Sequence, residues 1–351
     1  MRKLVVLGGG YGGMRVIERV LGHQLQDISV TLVDRLPYHG LKTEYYALAA
    51  GTVSDRDIRI DFPDEIDYIY GQVTDIDTED KMVLLASGEK VPYDDLVIGL
   101  GCEDKYHNVQ GAAEFTYSIQ TLEESRKTQQ AINGLRPGSV VSVVGAGLSG
   151  VELASELRES RPDLTVRLFD RGPSVLSFLS NRVSMYVQSW FEEHGVEVIN
   201  NANITRVDAD GLWNHEDLFP SDLTVWTAGI QPVAVVRNQG WELDGGGRVK
   251  LTEHHFVPGL PDVFVVGDNA SLPYAPSGQL AEAQAEQIVQ VLLCKWKGVN
   301  YPELPDIKLK GTLGSLGKKA GFGVFMGKQS LTGKVARLLK SGILWKHKVI
   351  K

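Results

Sequence analysis

Apolar and polar positions in this chain alternate between short strand-like runs that break at glycine and stretches with helical spacing. Residues 3–7 form one such run, ending at Gly8; a helix is predicted from Gly12 to about Gly22, and a second apolar run covers 28–33. The same order returns later. Residues 140–144 run apolar into Gly145, a helix from Ser149 to about Glu159 shows Val151, Leu153, Ala154 and Leu157 as a packing stripe, and 165–169 run apolar again. Between these blocks, residues 67–77 and 81–85 read as short strands with a turn at Ser87-Gly88, and 93–101 as a buried strand ending in glycines, where backbone can approach a ligand. A helix is predicted over 122–135, and further strands over 195–199, 222–229 and 261–267. Strands alternating with helices predict an α/β fold with parallel sheets.

The glycine breaks are two copies of one pattern. The first is Gly8-Gly9-Gly10-Tyr11-Gly12-Gly13 and the second Gly145-Ala146-Gly147-Leu148-Ser149-Gly150, starting 137 residues apart. Asp34 closes an apolar run 21 residues past Gly13, and Asp170 does the same 20 residues past Gly150. In G-x-G-x-x-G the first glycine makes the strand-to-helix turn, the second lets a pyrophosphate approach the backbone, and the third lets helix pack on strand. The helix start offers N–H groups and the positive end of its dipole to phosphate, and the later acid accepts from an adenosine ribose. One such loop is weak evidence. Two, each between strand and helix and each with its acid in place, predict two dinucleotide sites.

At 351 residues and 43% apolar composition the chain can bury two cores and carry an appendage. Met1-Arg2-Lys3 leads straight into the first strand with no cleavage region, and no window nears the roughly 20 apolar residues of a membrane span, so neither a leader nor a spanning helix is expected. The two cysteines, Cys102 and Cys294, are far apart and form no C-x-x-C; each reads as a small apolar residue of a protein in a reducing cytoplasm, and no metal-binding pattern is present. Charge is asymmetric. Residues 308–351 hold 11 Lys or Arg and no acid, against 25 basic and 44 acidic residues before them. A basic tail suits an anionic lipid surface; with no reading motif and an acidic body, nucleic acid is not expected as a partner.

These residues resemble a pyridine nucleotide–flavin oxidoreductase with two dinucleotide-binding domains and, within that group, the type II (non-proton-pumping) NADH:quinone oxidoreductases. Both loops, Thr227-Ala228-Gly229 and Val266-Gly267-Asp268 carry the broad resemblance; Gly150-Val151-Glu152, the stretch 276–284 and the stretch 310–317 carry the narrower one. The resemblance implies two Rossmann-like domains, the second inserted in the first: an FAD domain over 1–111 and 254–305, an NADH domain over 112–253, and a basic C-terminal quinone- and membrane-facing region over 306–351. It implies that Gly8, Gly10, Tyr11, Gly12, Gly13, Asp34, Arg35, Lys42, Thr43, Val73, Gly101, Gly267, Asp268, Gly278 and Gln279 hold FAD. Gly145, Gly147, Leu148, Ser149, Gly150, Asp170, Ala228 and Gly229 would hold NADH, with Asp170 repelling the 2′-phosphate of NADPH. Glu152 is the implied catalytic residue, where nicotinamide, flavin and quinone meet. Gln279, Gln284 and Lys340 are implied on the quinone side, menaquinone or ubiquinone.

The chain departs from the family pattern in places. Gly278 replaces a usual alanine, and the second glutamine of the motif falls at Ala283, with Gln284 one place later, a rotation of about 100° on a helix. The tail is short. In it Val335, Leu338, Leu339, Trp345 and Val349 fall near one face beside lysines, the composition of an interfacial helix on the cytoplasmic side of a membrane, with Gly342 weakening it by about 1 kcal/mol. A C-terminal helix packed on the protein's own core, a soluble NAD(P)H-dependent flavoprotein reductase with another acceptor, a non-catalytic NADH-sensing flavoprotein, and a homodimer all stay open at this point.

Overall fold

The computed structural model describes residues 1–325 and 329–349, with side chains through Trp345. They fall into two compact units: Met1–Leu41, Arg59–Glu103 and Gln231–Leu309 form the first, and Lys42–Ile58, Asp104–Ile230 and Lys310–Lys351 the second.

The first unit is built on a six-stranded sheet in the order Phe256–Val257, Leu260–Val265, Asp95–Ile98, Arg2–Leu7, Ile28–Asp34, Asp67–Tyr70. All its pairings are parallel except the Phe256–Val257 edge. Because side chains alternate along a strand, Arg2–Leu7 feeds two cores at once. Leu4 and Val6 pack with Met14, Val16, Ile17 and Val20 of the helix Tyr11–Gly22 and with Ile288, Val289 and Leu292 of the helix Gly278–Lys297. Val5 and Leu7 pack on the other side with Ile76, Val83 and Val91, from the antiparallel strands Val73–Asp77, Met82–Leu85 and Lys90–Pro92.

The second unit repeats the plan on a four-stranded parallel sheet in the order Glu197–Ile199, Thr165–Phe169, Val140–Val144, Leu223–Trp226. Val151, Leu153, Ala154 and Leu157 of the helix Leu148–Ser160 are fully buried against it, the stripe expected from the sequence. Two segments join this core that a simple insertion would leave elsewhere. The helix Tyr45–Ala49 contributes Tyr46, Ala47 and Ala49, and the antiparallel strands Gly311–Leu316 and Ala320–Phe325 contribute Leu316 and Phe322. The chain therefore alternates between the units several times, because short apolar segments far apart in sequence complete the same core.

The C-terminal helix Lys334–Val349 inverts the usual amphipathic arrangement. Lys340 is 6% exposed and Ala336 fully buried, while Leu338 is 72%, Trp345 63% and Val335 59% exposed; Leu339 and Ile343 also face solvent. Val349's side chain lies outside the described residues. Among the described residues no helix is long and apolar enough to cross a membrane.

Candidate functional site

In the first unit the glycine loop is determined by close contacts. Gly8 has φ +91°, and a Cβ there would lie 2.4 Å from the Gly99 carbonyl oxygen; one on Gly13 would lie 2.0 Å from that of Gly8. A Cβ on Gly12 would meet Val266. Gly10 differs: among the described residues nothing lies within 4 Å of its Cβ position and no side chain caps it, and it starts the helix Tyr11–Gly22. That open backbone at a positive helix end is the cradle a dinucleotide pyrophosphate requires. Asp34 fixes the loop from below, its Oδ2 accepting from Gly9 N–H at 2.6 Å and its Oδ1 from Leu36 N–H at 2.8 Å. Burial pushes Asp34 above its ordinary carboxylate range, with those backbone N–H groups and Arg35 acting the other way.

Around this loop the first unit gathers most of the residues expected at the flavin site. The Tyr11 ring lies edge-on to His39, 5.0 Å between centroids, and His39 Nδ1 bonds the Gly9 carbonyl oxygen at 2.7 Å. Tyr11 also explains Gly278, since a Cβ there would press on the ring at 3.0 Å. Gln279 lies in the same first helical turn, which Ser277 caps by accepting from Leu280 N–H. Gly101, φ +76°, leaves open space beside Cys102, whose thiol donates to Asp268 Oδ2 at 3.1 Å. Val73 is buried in its strand, opposite Leu85. Lys42 and Thr43 belong to the second unit, in a single turn before Tyr45.

Gln284 stands apart from the pocket role expected of it. Its side chain is fully buried; Oε1 accepts from Gly267 N–H at 2.9 Å and Nε2 donates to the Val265 carbonyl at 2.9 Å. Both ends of the amide are thus spent on the backbone that carries Asp268. The one-residue shift in the motif turns this glutamine inward, where it positions the Gly267–Asp268 turn.

The second loop repeats the geometry of the first. Gly145 has φ +104°, a Cβ on Gly150 would sit 1.8 Å from the Gly145 carbonyl oxygen, and Gly147, at the start of Leu148–Ser160, is open. Asp170 accepts from Ala146 N–H and Gly172 N–H, both at 2.6 Å. Thr227 closes the loop, its hydroxyl donating to the carbonyls of Val144 and Gly145 at 2.8 and 2.9 Å, and Ala228 packs on Gly145. The second unit therefore has the same fit to a dinucleotide, with Leu148 and Ser149 opening the helix and Gly229, φ +123°, beside it.

Beyond this loop lies a polar cluster in the interior of the second unit. Glu152 and Lys340 form a buried ion pair, and Glu152 Oε1 also accepts from Ser315 N–H at 2.8 Å. Lys340 donates to the Tyr46 hydroxyl at 2.7 Å, lies 3.6 Å from Glu44 Oε1 and sits over the Tyr46 ring. The Tyr46 hydroxyl donates to Ser315 Oγ at 3.0 Å, and Arg337 donates to the same oxygen at 2.6 Å. Burial pushes Glu152 up, against the pull of Lys340 and the Ser315 N–H, and pushes the Tyr46 phenol well above its ordinary range. The carboxylates of Glu152 and Glu44, with the Tyr46 hydroxyl as acceptor, outweigh burial at Lys340 and keep its ammonium charged. An acid held in this way can exchange a proton with a neighbour while staying shielded from water. Sequence reasoning named Glu152 and Lys340 but missed Tyr46, Glu44, Ser315 and Arg337, whose only sequence signal is that they sit in stretches already singled out.

Comparison with known proteins agrees with this geometry. Residues 2–287 match the family model of the pyridine nucleotide-disulphide oxidoreductases. The chain is 60% identical over 352 residues to the NADH dehydrogenase-like protein YutJ of Bacillus subtilis (strain 168), covering 99% of each. It is 25% identical over 381 residues to the type II NADH:quinone oxidoreductase of Staphylococcus haemolyticus (strain JCSC1435), covering 97% of this chain and 94% of that protein. The fold matches the solved structure of NDH2 from Plasmodium falciparum in complex with NADH at a TM-score of 0.85 and 16% identity, covering 99% of this chain and 95% of that one. Cys102 and Cys294 form no disulphide and are distant in sequence, so the disulphide in the family's name has no counterpart here. With two dinucleotide loops of matching geometry and a family model spanning most of its length, the chain belongs to the pyridine nucleotide-disulphide oxidoreductase family, as a flavoprotein oxidoreductase related to the type II NADH:quinone oxidoreductases.

Proposed function

We propose that this protein is an FAD-dependent NADH:quinone oxidoreductase that takes hydride from NADH and passes two electrons to a membrane quinone, menaquinone or ubiquinone, without pumping protons. Gly8 to Gly13, Asp34, Gly101, Asp268 and Gly278 are the residues assigned to FAD, and Gly145 to Gly150, Asp170 and Gly229 those assigned to NADH. The flavin, when bound, accepts hydride and releases electrons. The chain's own task is alignment and exclusion of water, which needs no triad.

The observation that carries the quinone reading is the buried Glu152–Lys340 pair. It ties the helix after the second glycine loop to a C-terminal helix whose outer face is apolar and beside lysines. An acid at that place supplies a proton on the acceptor side, while the exposed Leu338, Ile343 and Trp345 and the basic tail suit the cytoplasmic face of an anionic membrane. The relatives named for NADH:quinone oxidoreduction support the same reading. Gln279 keeps its proposed role toward a quinone carbonyl and Lys340 its proposed role beside Glu152; Gln284 is given the positioning role instead.

Anaerobic bleaching of the flavin by NADH, followed by a short-chain menaquinone or ubiquinone analogue, tests each part. The expected result is rapid bleaching and rapid return of colour with quinone. Bleaching that only a protein or dye acceptor reverses would replace the quinone reading with a soluble reductase. Equal efficiency with NADPH would remove the role assigned to Asp170.

A further inference from the structure

One helical turn beyond Glu152, on the same helix, is a second interior acid. Glu156 is 2% exposed, and its Oε2 has no hydrogen-bond partner among the described residues. The Thr52 hydroxyl, which donates to the Ala47 carbonyl at 3.2 Å, and the positive Arg337 of the C-terminal helix favour the charged form of Glu156, while Glu44 and Glu159 of its own helix oppose it. The strand Gly311–Leu316, also packed on this helix, presents Ser315, which links Arg337 to Glu152. Among the described residues, the carboxylates Glu44, Glu152, Glu156 and Glu159 outnumber the cations that face them, Lys340 and Arg337. A bare oxygen without a donor is far costlier on a carboxylate than on a neutral acid, which makes Glu156 the member that keeps a proton. Burial pushes this carboxyl up, with Thr52 and Arg337 acting the other way.

We propose that Glu156 is protonated at neutral pH and serves as the proton reserve of the acceptor site, supplying through the Glu152 carboxylate the proton that the acceptor takes up. The proposal rests on the reading of Glu152 as the acceptor-side acid. The balance is NADH + quinone + H⁺ → NAD⁺ + quinol. Hydride brings two electrons and one proton, so one further proton completes the quinol, and a single reserve is enough. As the O–H bond of Glu156 breaks, one forms on the Glu152 carboxylate; that bond breaks in turn as the proton passes to the quinone oxygen, and Glu156 recovers a proton from water. Residues four apart on a helix lie about 5–6 Å apart at Cβ, within reach of one intervening hydroxyl or water.

The test uses the flavin-loaded protein in two measurements. Infrared spectroscopy with 13C-labelled glutamate should show a protonated-carboxyl band at pH 7 that is lost in Glu156→Gln. In stopped flow, bleaching by NADH should keep its rate in Glu156→Gln while reoxidation by a soluble quinone slows about tenfold. The slowing should grow as pH rises, and Glu156→Asp should recover part of the rate. The proposal is overturned by a wild-type protein with no such band, by a band that survives Glu156→Gln, or by reoxidation of the variant with wild-type rate and pH profile. Should Glu156→Gln fail to fold, the wild-type band and its titration decide alone. A wild-type protein that shows the band yet reduces no quinone sinks the acceptor reading and, with it, the reserve role, leaving Glu156 as a buried neutral acid.

Discussion

The two glycine loops are alike in backbone and opposite in the helical turn that each one opens. In both, three glycines are fitted to contacts or open space, and an acid takes two backbone N–H groups. Two residues past the third glycine the first helix carries Arg15, part-exposed among Glu18, Glu282 and Glu286, whereas the second carries Glu152, buried with Lys340. The loop geometry thus fits a dinucleotide in both units. The surroundings of the next turn decide whether the helix carries a buried ion pair or a part-exposed one.

The harshest test of the shared half is Gly13→Val against Gly150→Val. Neither Cβ has room beside a backbone oxygen 2.0 or 1.8 Å away, so each variant should lose its own nucleotide by more than about a hundredfold. Gly13→Val should purify without flavin. Gly150→Val should stay yellow but bleach only at greatly raised NADH; a Gly13→Val protein with full flavin content would undo the assignment of the loops. The contrast at the next turn is sharpened by Glu152→Gln against Arg15→Gln. Removing one partner of a buried pair costs about 3–5 kcal/mol, whereas an exposed pair is worth about 0–1 kcal/mol. Thermal melting should therefore fall sharply only for Glu152→Gln, and Glu152→Gln combined with Lys340→Met should recover much of the loss. Equal melting of the two single variants would show that the pair is not closed in solution.

Two further buried acids extend the contrast at smaller scale. Asp95 in the first unit is fully buried but paired with Lys295 and bonded by Trp296 at 2.8 Å. Asp104 in the second unit is buried with Oδ1 unpartnered among the described residues, and burial pushes it from 3.8 up to about 6. The folded state then binds this proton more tightly than the unfolded chain. Its contribution is fully present below pH 4 and is lost as pH rises to about 6, by about 3 kcal/mol in all. Asp104→Asn, which cannot ionise, should melt higher than the parent at pH 7.5, and the difference should vanish by pH 4. A gain that persists at pH 4 would point to packing instead. The smallest effect is expected on the outer face of the C-terminal helix. Leu338→Ser should leave melting within about 0.5 kcal/mol, since the side chain is exposed, yet lower retention on anionic vesicles several-fold. Unchanged retention would argue that this face docks on something other than lipid.

Much of the geometry of both glycine loops is legible in the sequence because such loops are local: the turn, the open backbone and the acid all lie within about 25 residues, and their residue types leave few other conformations. The strand Arg2–Leu7 and the stripe on Leu148–Ser160 are legible for a similar reason, since periodicity reports which faces are covered. Gln284 is misleading in sequence because a one-residue shift on a helix changes which side chain faces a pocket, and spacing alone does not say which face is inside. The tail reads as an apolar stripe beside lysines, with Lys340 among them. That this lysine points inward while Leu338 and Trp345 point out depends on Glu152, Tyr46 and Glu44, which neutralise and bond it from segments up to nearly three hundred residues away.

The amino-acid sequence alone determined the α/β character, the two dinucleotide loops and their acids, because those features arise from steric rules within short stretches of chain. Only the tertiary structure decided which acids are buried and which cations meet them, how the short helix at Tyr45–Ala49 and the C-terminal strands complete the second core, and that Glu156 keeps an oxygen without a partner among the described residues. Desolvation and charge pairing act through space between distant segments, and no local pattern encodes them.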